Sequence, residues 1–412
     1  MSPSRVDDPL PSFGQKSTTG EPYKGPPRNI TTINDINFDD SLQPTTYNIL
    51  GIHPDSKTLF EDVSILDSTG RDPYPGDVLI EGEKIVKSEG DHGRGRTLMS
   101  GLGEAHTHFT WNGGDLNRLG DLGVEEHVLL TARSAQCYID SGYTMCFGAA
   151  SAKDRLDVVI RDVINAGDIP AYADGPEEMR EVIRHHVKLG VDNIKLSMSG
   201  EEITETRSAQ VCYFTDEETA ACVDEGHKLG KRLCAHARAR DWGMDMLEAK
   251  KTKHVVAPAI NWLIGTLNDA EAFGYPKAKA EQVGYKKELD AAIRGLREMH
   301  RRGIPILPGG DYGFAWTPHG TYARDLEHFV KLLDFTPMES IIAATAGVAK
   351  LFMREKELGK IQEGFYADCI LVDGDPLEDI TVLQDHDKLN VIVLNGRVHK
   401  AGRKEYIAPP VA

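Results

Sequence analysis

From about residue 98 to residue 350, short apolar runs alternate with amphipathic stretches, and no other feature limits the fold of this chain as tightly. That alternation predicts parallel strands joined through βαβ units. Candidate strands are Leu98 to Ala105, Tyr143 to Ala149, Val191 to Ser197, Arg232 to Ala237, His254 to Ile260 and Ile304 to Leu307. Helices are expected between them, one with Leu289, Ile293, Leu296 and Met299 as its buried stripe. These six strands fall short of the eight that a closed (β/α)8 barrel needs. Two helical patterns, Lys153 to Ala166 and Pro176 to Leu189, follow one another with no strand between, and Arg238 to His254 has room for one short helix only. The expected fold class is α/β: a (β/α)8 TIM-type barrel lacking about two βα pieces.

Both ends of the ordered chain read differently. Thr58 to Leu66 alternates as a half-buried strand, the turn-forming runs Asp67 to Gly70 and Asp72 to Gly76 follow, and Asp77 to Ile80 and Ile85-Val86 flank a hairpin signal at Glu81 to Lys84. Near the C-terminus, Tyr366 to Val372, Val391 to Leu394 and Arg397 to His399 are strand-like and separated by tight turns, one of them Asn395-Gly396. Two strand-rich ends around a different middle predict one small discontinuous β-sandwich domain, residues 46–97 plus 355–405, enclosing a barrel at 98–354. Residues 1–45, rich in Pro and Gly and without lasting periodicity, are expected to form a disordered tail.

Composition excludes several classes of function. The 47 Lys and Arg against 64 Asp and Glu leave a net charge of −17, which repels phosphate backbones and argues against a nucleic-acid partner. The first 29 residues lack the apolar run of a signal peptide, and no stretch approaches the ~20 apolar residues of a membrane span, so a cytoplasmic protein without a membrane partner is expected. The six cysteines, Cys137, Cys146, Cys212, Cys222, Cys234 and Cys369, are scattered and predict reduced, mostly buried thiols.

Chemistry concentrates at the predicted strand ends. In Gly101-Leu102-Gly103-Glu104-Ala105-His106-Thr107-His108 the two histidines stand two residues apart on a strand, so both can face one metal at the mouth of a barrel. Lys195 lies in the apolar strand Val191 to Ser197, where an unpaired ammonium is costly to bury, although a strand-end lysine can also snorkel to solvent. His236 closes Leu233-Cys234-Ala235-His236, as a ligand or as a satisfied pocket histidine. Asp311 follows Ile306-Leu307-Pro308-Gly309-Gly310, as a ligand or as a helix cap.

The order HxH, Lys, His, Asp on successive strand ends resembles the amidohydrolase superfamily, over about Phe60 to Lys400. Glu104 to His108 resembles its opening motif, and Gly359-Lys360-Ile361 through Ala367 to Val372 its return into the β-sandwich. Within it the chain is most similar to the imidazolonepropionase-like and Xaa-Pro dipeptidase-like branch, which includes ochratoxinase-type amidases. The resemblance implies a TIM barrel with one or two divalent metal ions, usually Zn2+. His106, His108 and Asp311 would hold the first, Lys195 carboxylated by CO2 to a carbamate would bridge both, and His236 would ligate the second. It further implies a hydrolase that cleaves a C–N bond of a small amide, lactam or dipeptide-like substrate by metal-activated hydroxide, with Asp311 as catalytic proton shuttle.

Two departures coincide with the missing strands. The chain runs from Arg240-Asp241 into Trp242-Gly243 without a further strand-borne histidine, and from Ile169-Pro170 into Ala171-Tyr172 where a third barrel strand belongs. Rival readings therefore stand: an inactive barrel paralogue serving as scaffold or oligomer partner, or a lactonase or aromatic deaminase of the same superfamily. In the loop after Asp311, Tyr312, Trp316 and His319 are candidates for substrate contact, with packing against the barrel as the alternative. Trp111 and Asn112, just past the HxH motif, rank behind them. Barrels of this family are often oligomeric, so a homo-oligomer is expected.

Overall fold

The computed structural model describes residues 57–89, 95–111, 113, 121–153, 156–158, 160, 175–199, 211–236 and 254–401. The expected tail at 1–45 and the breaks at Pro170/Ala171 and Asp241/Trp242 lie outside the described residues.

The strands at the two chain ends meet in one sheet. β1 (Lys57–Leu66), β2 (Tyr74–Glu81), β3 (Lys84–Glu89), β4 (Thr97–Ser100), β9 (Cys369–Val372), β10 (Leu389–Leu394) and β11 (Arg397–Lys400) join in the order β11-β10-β9-β4-β1-β2-β3. Residues from both ends interleave in its core, where Phe60, Ile65, Val78, Ile80 and Leu98 pack against Ile361, Ala367 and Leu371. These strands form a single mixed sheet among the described residues, where a sandwich of two sheets was expected: β4 pairs parallel to β1 on one side and antiparallel to β9 on the other.

The expected strand from Leu98 to Ala105 is two strands. β4 ends at Ser100 and β5 (Leu102–Thr107) begins one residue later in a different sheet. Gly101 is the hinge. Its N–H bonds Asp368 O of the end sheet at 2.9 Å, while the next N–H, of Leu102, bonds Gly142 O at 2.9 Å, so the ladder changes partner between adjacent residues. A Cβ at position 101 would stand 2.2 Å from Thr144 Oγ1, which requires glycine there.

In the middle of the chain the described residues make three parallel pairings. β5 pairs with β6 (Tyr143–Gly148), β7 (Asn193–Ser197) with β8 (Arg232–His236), and Val256 bridges Ile306. Ala105 N–H to Pro308 O, at 2.8 Å, joins the first pair to the third. The expected strands at His254 to Ile260 and Ile304 to Leu307 are reduced to that single bridge, because a helix already starts at Ile260. Asn193 Nδ2, donating to Gly148 O at 3.1 Å, links β6 to β7 by a side chain.

Helices pack outside these strands as the periodicity predicts. The helix Tyr285–Arg301 buries Leu289, Leu296 and Met299, and Pro176–Leu189 starts on its proline and ends at Gly190 in the left-handed conformation. Thr215 caps the helix Asp216–Lys228 in a reciprocal box with Glu218. Arg184 and Glu225 tie these last two helices by paired bonds of 2.7 and 3.0 Å. His186 is buried, because its helix turns that position towards its own core with Ile183. All six cysteines are free. No helix among the described residues is long and apolar enough to cross a membrane.

Two predictions follow from this packing. A Cβ on Gly103 would stand 2.6 Å from Val348 Cβ, so Gly103→Ala overpacks the contact between β5 and the helix Val348–Leu351 and should cost about 1–3 kcal/mol in urea denaturation. Burial, aided by Arg324, pushes His328 down to about 3, and burial with Lys400 pushes His386 down to about 4. Both are neutral in the folded chain but protonate when unfolded, so stability is complete above about pH 6.5 and falls as the pH drops below it. The slope should reach at most about 1.4 kcal/mol per pH unit for each histidine, and His328→Gln should flatten it between pH ~6.5 and ~4.

Candidate metal centre

β5 delivers His106 near its end and His108 two residues later, with ring centroids 5.0 Å apart. Facing them is Asp311, carried by the loop that follows Pro308. Its carboxylate Oδ1 lies 2.9 Å from His108 Nε2 and 3.6 Å from His106 Nε2. One donor atom from each of the three falls within 4.8 Å of the others.

The approach depends on two glycines. A Cβ at Gly309 would stand 2.9 Å from His106 Cβ, and one at Gly310 would meet the Tyr312 ring at 2.4 Å, so only bare backbone can lie this close to β5. Gly309 N–H is held by Asp325 Oδ2 at 2.8 Å. Asp311 itself sits at φ +60°, a left-handed conformation costly for most residues but tolerated by Asp and Asn, and Thr317 Oγ1 holds its carbonyl at 3.0 Å.

Electrostatics prepares all three side chains as lone-pair donors. Burial lowers the pKa of His106, and the nearby Lys195 ammonium adds to the effect. Burial also lowers that of His108 against the pull of Asp311. At Asp311 burial works towards the neutral acid, but His108, His106 and His236 outweigh it and hold the carboxyl below its usual range. Neutral imidazoles beside an ionised carboxylate are the protonation states that divalent-metal ligands require. His108 Nδ1 lies 3.3 Å from Ala150 O and Nε2 2.9 Å from Asp311 Oδ1, so the ring stands between two acceptors. Asp311 Oδ1, buried, has no well-aligned hydrogen bond among the described residues. A cation between these atoms satisfies both, and the donor set of two nitrogens and one oxygen suits zinc.

Lys195 and His236 occupy adjacent strands. Lys195 pairs with Cys234 and Ser197 with His236, so both side chains leave the same face of the β7–β8 pair. Their charges reach His106, but His236 stands outside the 4.8 Å donor group.

The three loop candidates do not line one surface. Tyr312 is fully buried and its hydroxyl donates to Tyr322 O at 3.1 Å. His319 is also buried: its Nε2 lies 2.7 Å from Trp111 O and its Nδ1 3.1 Å from Tyr322 OH, and burial pushes it down to about 4. Both correct the expectation of substrate contact, because their polar atoms are spent on the protein. Trp316 is half-buried, with Nε1 donating to Thr266 Oγ1 at 3.0 Å. Trp111 stacks on the His108 ring at 3.5 Å between centroids and 8° between planes. Asp325 went unread at the sequence level, since a lone acid in an amphipathic helix carries no signal of the backbone it will grip.

An α/β framework thus carries a His-His-Asp donor group at the end of its first inner strand. The chain belongs to the amidohydrolase family, whose model matches residues 97–399. It is 26% identical over 388 residues to ochratoxinase of Aspergillus niger, covering 77% of this chain and 78% of that one. A crystal structure of a Xaa-Pro dipeptidase with bound methionine is similar with a TM-score of 0.72 at 21% identity, over 84% of this chain and 100% of that one. The crystal structure of A. niger ochratoxinase follows at 0.71 and 20%, over 84% and 96%. These neighbours show a shared fold, of the TIM-barrel type.

The Gly309 contact yields a direct test. Gly309→Ala should separate Asp311 from His106 and lower Zn2+ affinity by about 10–100-fold, read by competition with a chromophoric chelator, while circular dichroism stays near that of the parent.

Proposed function

We propose that this protein is a metal-dependent hydrolase that cleaves the C–N bond of a small amide, lactam or dipeptide-like substrate. The observation that carries the reading is the triangle of half-buried His106 and buried His108 and Asp311, with donor atoms within 4.8 Å of one another. These three would hold one divalent ion, zinc by the chemistry of the set. Lys195, as the carbamate formed with CO2, and His236 would serve a second. A bound ion supplies the Lewis acidity that acidifies water and polarises the scissile carbonyl. Asp311 then takes the proton from the attacking water and passes it to the departing amine nitrogen, so the C–N bond breaks with a neutral leaving group. The names of the relatives, ochratoxinase and Xaa-Pro dipeptidase, support an amide with an amino-acid or imino-acid half.

The same reading holds the barrel to lack about two βα pieces. The passage from Arg240-Asp241 into Trp242-Gly243 without a further histidine after His236 favours weak or absent binding at the second site, and at its extreme a silent paralogue.

Metal analysis and turnover separate these readings. Purified protein should carry close to one equivalent of zinc and hydrolyse members of an N-acyl amino acid and Xaa-Pro panel. Asp311→Asn, which keeps the left-handed backbone, should lower turnover by about 10²–10⁴-fold. Metal-free protein that stays inert after Zn2+ is added points to the silent paralogue.

A further inference from the structure

His108 and Asp311 come from loops far apart in the sequence, yet the structure stitches those loops together beside the ligands. Past His108 the chain turns through Trp111, whose N–H returns to His108 O at 3.3 Å. The Trp111 ring lies flat on the His108 imidazole, with 3.5 Å between centroids and 8° between planes. From the other loop, His319 Nε2 donates to Trp111 O at 2.7 Å, and its Nδ1 accepts from Tyr322 OH at 3.1 Å, which fixes one tautomer. Two residues past Trp111, Gly113 N–H donates to Gly313 O at 2.7 Å, and Gly313 N–H in turn to Thr317 O at 2.9 Å. The fit is tight enough that a Cβ at Gly313 would stand 2.9 Å from Trp111 Cβ and 3.2 Å from His319 Nε2.

We propose that Trp111 and His319 form a clamp that positions the metal ligands: Trp111 sets the plane of His108 by stacking, and His319 fixes the loop of Trp111 to the loop of Asp311. The clamp rests on the metal-centre reading above and adds that ligand geometry is set before an ion arrives. Without it, His108 could rotate about its side-chain torsions and the two loops could part, so that binding would have to supply the ordering. Trp111 and His319 are positioning residues, acting through His108 and through the spacing of the two loops.

Titration of metal-free protein with Zn2+ against a competing chelator tests this. Trp111→Ala and His319→Ala should each weaken Zn2+ binding by about 10–100-fold, whereas Trp111→Phe, which keeps a stacking face, and His319→Gln, which keeps a donor, should stay within about threefold of the parent. In Co2+-substituted protein the visible bands should shift or broaden for Trp111→Ala and not for Trp111→Phe, a signature that lost stability alone would not produce. Trp111 is only half-buried, so its variants should fold even if His319→Ala does not. A parent protein that binds Zn2+ and a folded Trp111→Ala that binds as tightly, with unchanged Co2+ bands, overturns the clamp alone. A parent that takes up no Zn2+ overturns the metal-centre reading and the clamp with it.

Discussion

Two imidazoles and a carboxylate are held together out of water, and much of the structure serves to hold them there. Burial alone drives such groups towards their neutral forms, and a lone buried carboxylate would keep its proton. Against burial, the histidines that approach within 3.6 Å hold the Asp311 carboxyl below its usual range, while burial and Lys195 lower the pKa of His106. The result is a concave set of lone pairs for which a small, highly charged cation is the natural complement.

Backbone bareness makes the approach possible. Gly309 lets the loop bearing Asp311 lie on His106, and Gly310 leaves room for the Tyr312 ring. Asp325 secures that loop from behind through the Gly309 N–H, and Thr317 from the side through the Asp311 carbonyl. None of these residues offers a donor atom to the centre, yet each removes a freedom that would let the triangle open. The left-handed backbone of Asp311 belongs to the same set of constraints, since a conformation costing about 1–3 kcal/mol persists only where its surroundings over-determine it.

The end sheet positions β5 in turn. β4 is locked between β1 and β9, and one residue later the chain enters β5, whose far end bears His106. Strands from both ends of the chain thus anchor the strand that bears His106 at its base. The β7–β8 pair is built differently: with its two outer helices it makes a separate apolar cluster of Ile183, Val191, Ile194, Leu196 and Cys222. Lys195 and His236 ride on that unit, so their distance from the His-His-Asp group depends on how it sits against β6, a junction at which Asn193 bonds Gly148.

The sequence by itself determined what depends on neighbours along the chain. The helix at 176–189 was legible to the residue as a helical pattern from Pro176 to Leu189. The two-residue spacing put His106 and His108 on one strand end, where the structure has them 5.0 Å apart. Tertiary structure alone decided the rest. The strand from Leu98 onward breaks at Gly101 because two different sheets compete for its hydrogen bonds, and periodicity carries no record of which sheet a residue joins. Tyr312 and His319 looked like substrate contacts and turned inward, since a polar side chain in a loop reads the same whether it meets a ligand or a backbone carbonyl. The meeting of Asp311 with two histidines of a distant strand is a close approach of backbones, and such an approach exists only once the intervening elements have packed.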